Sequence, residues 1–383
     1  MKSYKINKSK TWLGILAGAA LLASTLPSQA AVPLWIYTGQ NLTGDSGGLG
    51  QNAVYTSGNL TSRLNDKTRS FKLTQGWGVC MGVNDDCIGT SKCWEAVNGD
   101  LIVNVMPSSM DNAVSFIRVF PLTANMHKKG MAGNGTVNGT HFSWVFGCDW
   151  FYEWSPTVNY TVLAEFVPMP YCNPWWQTDP ATFQTMPVAN ILMYNEPDNT
   201  VANGGTAIPV ANALNLYGPM LICGLRMGSP VCTQDGFNPW LTDFMSQAKT
   251  RGYRVDFLAA HWYGWSVSAS STGAQLASAM ASKLTTLRNS CGPNMNVWLT
   301  EYNCWGADNT RNQARTIDFI NQSAAWFNST SWMERNAFFH WDGSNHTAFL
   351  DAATQTQYSP VGSAYLNQVN PLSTYGGVNN LDL

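Results

Sequence analysis

The stretch Ile191-Leu192-Met193-Tyr194-Asn195-Glu196-Pro197-Asp198 decides the fold. Four apolar residues run into turn formers, which reads as a strand buried on both faces. Its glutamate stands at the C-terminal lip, where parallel α/β barrels keep their chemistry. Val297-Trp298-Leu299-Thr300-Glu301-Tyr302 repeats the pattern, and between the two a third apolar run, 255–260, ends on His261-Trp262-Tyr263. One glutamate at a strand end is ordinarily a surface residue. Two of them, with a histidine lip between, supply the carboxylate pair that cleavage of a glycosidic bond requires.

Outward from this centre, apolar runs alternate with helical stretches. Residues 142–146 and 163–169 read as the first two strands, 220–225 follows the Glu196 strand, and 335–339 follows the Glu301 strand. Helices are expected over 240–250 and 274–288. The order predicts a (β/α)8 TIM barrel over residues 141–383. Only two clear strands precede Glu196, so a short or distorted barrel is expected.

Residues 121–140 are rich in Gly, Asn and Thr without apolar period, and read as a linker. Residues 31–120 carry short alternating strands split by Gly, Asn and Asp, the pattern of a small all-β module. A weak repeat runs through it. Leu34-Trp35-Ile36-Tyr37 leads to Gly44, and Val79-Cys80-Met81-Gly82 leads to Gly89. Each half closes on a polar turn and a strand, Asn65-Asp66-Lys67-Thr68-Arg69-Ser70 and Asp111-Asn112-Ala113-Val114-Ser115-Phe116.

At the start, Lys2, Lys5, Lys8 and Lys10 precede an apolar stretch over 12–26 and the small-residue site Ser28-Gln29-Ala30. Residues 1–30 are therefore expected to be a signal peptide and the protein to be secreted. No later stretch approaches 18 apolar residues, so no membrane span is expected. The formal charge of −2 becomes more acidic without the leader's lysines, which argues against nucleic acid as partner. The 17 Trp exceed what a core of this size needs. Indole faces pack against sugar rings, and Trp150, Trp154, Trp175, Trp176, Trp262, Trp265 and Trp305 are candidates, Trp305 foremost because it follows Glu301. Of nine Cys, Cys223 and Cys232 flank the presumed loop 224–230 and form the expected disulfide. No C-x-x-C occurs and the five His are scattered, which speaks against zinc. No cofactor is expected for catalysis, and a monomer is expected.

These pieces, together with Val167-Pro168-Met169, Gly228-Ser229-Pro230 and the 335–339 strand, stand over residues 141–367 in the order of glycoside hydrolase family 128, which the second domain resembles. The resemblance implies a secreted retaining endo-β-1,3-glucanase acting on β-glucan, with Glu196 as acid/base and Glu301 as nucleophile. Around them, Asn195 is placed to meet a sugar 2-hydroxyl, and Asp198, His261, Trp262, Tyr263, Tyr302 and Trp305 are expected to contact substrate. Two alternatives stand beside it: a retaining barrel glycosidase for another β-glycan, and a non-catalytic lectin or calcium-binding surface protein. The first domain resembles a βγ-crystallin, two Greek keys packed face to face. That resemblance implies a structural calcium held across the repeats by Asp66, Asp111, Asn112 and Ser115. Ser115 pairs with Asp66 in the working site, and Arg69 stands where the other site needs a hydroxyl.

Overall fold

In a computed structural model of the chain, residues 32–372 are described except 52, 123–126, 134, 171–177, 269, 305–311, 341–346 and 352. The expected leader, Trp175, Trp176 and Trp305 lie outside the described residues.

Eight strands make the N-terminal module: β1 (Leu34–Tyr37), β2 (Ser46–Leu49), β3 (Ala53–Tyr55), β4 (Ser70–Leu73), β5 (Trp77–Gly82), β6 (Ser91–Glu95), β7 (Leu101–Val103) and β8 (Phe116–Pro121). They form two four-stranded antiparallel sheets, ordered β2-β1-β4-β7 and β3-β8-β5-β6. Each half of the module thus gives three strands to one sheet and lends one to the other. Side chains alternate as a half-buried strand requires: Leu34, Ile36, Phe71 and Leu73 point into a core with Val79 and Ile117, while Trp35 faces out. In β5 and β8, by contrast, nearly every residue is buried. Their other face packs on the second domain, whose core takes in Cys80, Phe116 and Phe120.

The second domain is a ring of parallel strands: β9 (Lys129–Ala132), then β12 (Trp150–Tyr152), β13 (Glu165–Phe166), β14 (Asn190–Ile191), β15 (Arg226–Met227), β16 (Leu258–Tyr263), β17 (Val297–Asn303) and β18 (Met333–Phe338). A small hairpin, β10 (Thr136–Val137) and β11 (Thr140–His141), follows β9. Six strands form one parallel sheet in the order β13-β12-β9-β18-β17-β16, and β14 pairs with β15. Parallel bridges Gly228–Phe257 and Cys232–Ala260 join the β15 segment to β16. The Leu192 amide donates to the Pro168 carbonyl at 2.9 Å, joining the β13 and β14 segments. Trp150, Trp298 and Phe257 fill the interior, the last two stacked 4.1 Å apart. Helices α1 (Phe142–Val145), α2 (Ala181–Gln184), α3 (Val210–Met220), α4 (Thr242–Thr250), α5 (Gly273–Cys291), α6 (Gln313–Ser329) and α7 (Pro360–Leu366) complete the domain.

Four expectations need correction. Residues 220–225 are not a strand: Met220 ends α3, Leu221–Cys223 make a 3-10 turn, and the strand begins only at Arg226. The presumed linker holds β9, which the charges of Lys128 and Lys129 hid. Both lysines are buried, and their ammonium groups donate to carbonyls at the C-terminal ends of α6 and α7, where cations are favoured. Residues 142–146 are not a strand: 142–145 form a short helix, N-capped by His141. Four barrel strands therefore precede Glu196, and the irregularity lies in β13, β14 and β15, each only two residues long. Finally, Cys223 and Cys232 are separate buried thiols. The segment between them is no loop but the β15 strand and its continuation. At about 3.3 Å per residue it puts them near opposite ends of the barrel wall, beyond the reach of a disulfide.

The second sheet of the N-terminal module closes the barrel at the strands' N-terminal ends. Arg226 joins Glu95 of β6, at 3.0 Å, to Glu334 of β18, at 2.8 Å. Arg254 donates to Cys80 Sγ at 2.7 Å, Cys87 Sγ at 3.2 Å and Asp256 at 2.9 Å. Among the described residues no helix is long and apolar enough to cross a membrane.

Candidate active site

Period-2 alternation aims the site. In β16, His261 and Tyr263 turn inward and Trp262 outward; in β17, Glu301 turns inward and Tyr302 outward. Glu196 lies in the turn after β14, with a φ of 41° that a non-glycine residue adopts only under strain, on the order of 1–3 kcal/mol. The turn is held by its backbone. The Glu196 amide donates to Val231 at 2.8 Å, and its carbonyl accepts from Asn199 at 3.0 Å and Thr206 at 3.2 Å.

His261, fully buried, stands between the two carboxylates. Its Nδ1 lies 2.8 Å from Glu196 Oε1 and its Nε2 3.3 Å from Glu301 Oε1. A carboxylate oxygen of Glu196 lies within 4.8 Å of one of Glu301. Asn199 Nδ2 donates to Glu196 Oε2 at 2.8 Å. Glu301 is clamped harder. Tyr152 donates to its Oε1 at 2.8 Å, Trp154 Nε1 to the same oxygen at 2.9 Å, and Tyr263 to Oε2.

The electrostatics follow. Burial pushes the Glu196 carboxyl up, but the hydrogen bond and charge of His261 outweigh it and hold it below the ordinary value. Burial pushes His261 down, but Glu301 and Glu196 outweigh that and raise it. Burial and the Glu301 charge lift the Tyr152 and Tyr263 phenols well above their usual range, so both remain donors. Burial raises Asp198.

The carboxylates open into a cleft of about 1140 Å³. Trp154, Tyr263, Trp265 and Phe339 line one part of it; Asn199, Asn203, Thr233 and Asp235 supply polar lining. Asn195 lines the cleft; its Nδ2 donates to Gly204 at 2.9 Å, and its buried Oδ1 has no partner among the described residues. Asp198 also reaches the cleft, but accepts from the Thr233 amide at 3.0 Å and from the Thr233 hydroxyl, which braces the loop. Trp262 and Tyr302 do not reach it. Trp262 packs on Phe319 of α6, and Tyr302 on Phe319, Phe327 and Phe338, both buried behind the barrel wall. Tyr152 and Asn199 were not expected, nor Trp154 as a partner of Glu301. The available signals were the inward phase of Trp150-Phe151-Tyr152 and the spacing of Asn199 three residues after Glu196, one tight turn.

A parallel barrel with two glutamates at its C-terminal lip defines a class of glycosidic-bond hydrolases, and comparison with known proteins agrees. The profile of the family described as "Glycosyl hydrolase catalytic core" matches residues 132–365. The chain is similar to a GH128 (subgroup I) endo-β-1,3-glucanase from Amycolatopsis mediterranei in complex with laminaritriose, with 29% identity and a TM-score of 0.52 over 63% of this chain and 99% of that one. A variant of that enzyme with laminaritriose and laminaribiose gives 30% identity and a TM-score of 0.54 over the same shares. A GH128 (subgroup II) endo-β-1,3-glucanase from Sorangium cellulosum, 21% identical, shares the fold at a TM-score of 0.51 over 63% of this chain and 98% of that one. No curated protein matches the sequence. The chain belongs to the glycosyl hydrolase catalytic core family and is a glycoside hydrolase.

Proposed function

We propose that the protein is a secreted, retaining endo-β-1,3-glucanase. The observation that carries the reading is the approach of Glu196 and Glu301, carboxylate oxygens within 4.8 Å, with Glu301 held by three donors. Retaining enzymes keep their carboxyl groups about 5–5.5 Å apart and inverting ones about 6.5–9.5 Å. Glu301 attacks the anomeric carbon while Glu196 protonates the departing oxygen; Glu196 then takes a proton from the water that releases the glycosyl ester. The Asn195 Oδ1, without a partner among the described residues, supports a role accepting a hydrogen bond from a sugar 2-hydroxyl, a contact that strengthens in the transition state. The choice of β-1,3-glucan rests on the laminari-oligosaccharides bound by the similar enzymes. Reducing-sugar release from laminarin, curdlan, barley glucan and xylan tests it. Release from laminarin and curdlan is expected, and preference for xylan contradicts the reading. The leader-like residues 1–30 carry the proposal of secretion.

For the N-terminal module we propose a βγ-crystallin-like fold with one calcium site. The exchange of one strand between its halves supports the fold. Ser115 Oγ donates to Asp66 Oδ1 at 2.7 Å, and the buried Asn65 Oδ1, nearby in sequence, has no partner among the described residues, an oxygen set suited to a hard cation. At the sister position Arg69 makes a two-pronged pair with Asp111, both bonds at 3.0 Å, so a side-chain cation already stands there. Calorimetry on the full chain should give one calcium per molecule, lost in Ser115→Ala.

A further inference from the structure

His261 is placed between the two glutamates in a way that ordinary substrate binding does not require. It is fully buried, and each ring nitrogen faces a different carboxylate, Glu196 at 2.8 Å and Glu301 at 3.3 Å. The backbone fixes it there: its amide donates to the Cys232 carbonyl at 2.9 Å, and β16 and β17 shift register between Ala260 and His261. The titratable groups around it are Glu196 and Asp198 after β14, Cys232 after β15, Glu301 on β17, Tyr152 on β12 and Tyr263 on its own strand. The carboxylates dominate this group, and the phenols are held in their neutral form.

A retaining cycle needs one proton at Glu196 when the leaving group departs, yet Glu196 is the carboxyl that His261 and Asn199 hold ionised. We infer that the catalytic proton rests on His261, not on Glu196, and that the charge of Glu301 decides when it leaves. The inference deepens the two-glutamate reading and rests on it. In the free enzyme Glu196 and Glu301 are carboxylates and His261 is an imidazolium. As a Glu301 oxygen bonds to the anomeric carbon and the bond to the leaving oxygen breaks, the His261 Nδ1–H bond breaks. The proton passes through Glu196 to the leaving oxygen. Glu301 is now an uncharged ester and His261 a neutral imidazole. In the second half, water loses a proton to Glu196 as its oxygen bonds to the anomeric carbon. The ester bond breaks, Glu301 regains its charge, and the proton returns to His261. The cluster's net charge is the same in both states, which matters in a buried site where each uncompensated charge is costly. His261 acts through Glu196 and is in this sense a positioning residue for the proton.

The test is nitrogen NMR of the full chain with 15N-labelled histidine, His261 being assigned from the spectrum of His261→Gln. At pH 7 the free enzyme should show both His261 ring nitrogens protonated. Two further samples remove the Glu301 charge: enzyme trapped with a 2-deoxy-2-fluoro laminaribiosyl fluoride, and Glu301→Gln. In each, the His261 titration midpoint should fall by at least about one pH unit, the effect of losing a full charge about 3 Å away even in a strongly screened site. A neutral His261 in the free enzyme, or a midpoint unmoved in Glu301→Gln, overturns the inference. Peptide mass analysis of the trapped enzyme reports separately on the nucleophile. A fluoroglycosyl label elsewhere than Glu301, or none, counts against the two-glutamate reading, while the Glu301→Gln spectrum still decides the place of the proton.

Discussion

Glu301 accepts from two phenols and an indole. On the proposed double displacement, Glu196→Gln and Glu301→Gln should each lower kcat more than ~10³-fold with the fold intact, the one by removing acid/base and the other by removing covalent catalysis. Near wild-type turnover in either would defeat the assignment. Tyr152→Phe removes one neutral donor to a buried carboxylate, an interaction of about 1.5–3 kcal/mol, so a loss of about 10–100-fold in kcat/KM is expected from steady-state kinetics. At this scale the sequence was readable where chemistry and strand position coincide. Glu196, Glu301 and His261 stood out because each ends an apolar run. Tyr152 did not, because a Tyr in Trp150-Phe151-Tyr152 looks like core until the barrel closes and turns it towards β17.

At the scale of elements, β16 and β17 show how one pattern yields two fates. His261-Trp262-Tyr263 reads as a compact binding motif, yet alternation sends Trp262 behind the wall against α6, while Trp265, 49% exposed, stays at the cleft. Trp262→Ala should therefore destabilise the protein by about 3–5 kcal/mol, seen as a lower midpoint in urea. Trp265→Ala should leave that midpoint unchanged and raise KM for long oligosaccharides. The reverse result would mean that the strand is turned the other way. The strands bearing Glu196, His261 and Glu301 were legible because long apolar runs betray them. β9 was not: buried lysines break its apolar signal, and what makes them tolerable, the carbonyls ending α6 and α7, comes from nearly 200 residues or more along the chain. The Cys223–Cys232 pairing failed for a related reason, since a Gly- and Pro-containing segment can be a strand as well as a loop.

At the largest scale, the described residues set the cleft at one end of the barrel and the β module across the other, joined by buried charge. At that seam Glu95 and Glu334 share the single guanidinium of Arg226. Burial pushes Glu95 up to about 7, while Arg226 outweighs burial at Glu334 and holds it below its ordinary value. The folded state thus keeps a proton on Glu95 that the unfolded chain releases near pH 4.5, so stability is lost as pH rises towards 7. The melting temperature should fall from pH 5 to pH 7 by more in the wild type than in Glu95→Gln; equal slopes would contradict a proton held on Glu95 at the seam. None of this was visible beforehand, because the partners lie on different domains and a lone Glu at the end of β6 carries no mark of burial. The same placement keeps the module away from the cleft, whose described lining comes from the barrel. The central claim, a double displacement by Glu196 and Glu301, is tested most directly by proton NMR of the first sugars released from a laminari-oligosaccharide. The account predicts the β-anomer first, with the α-anomer growing in only by mutarotation; an α-anomer released first would contradict it.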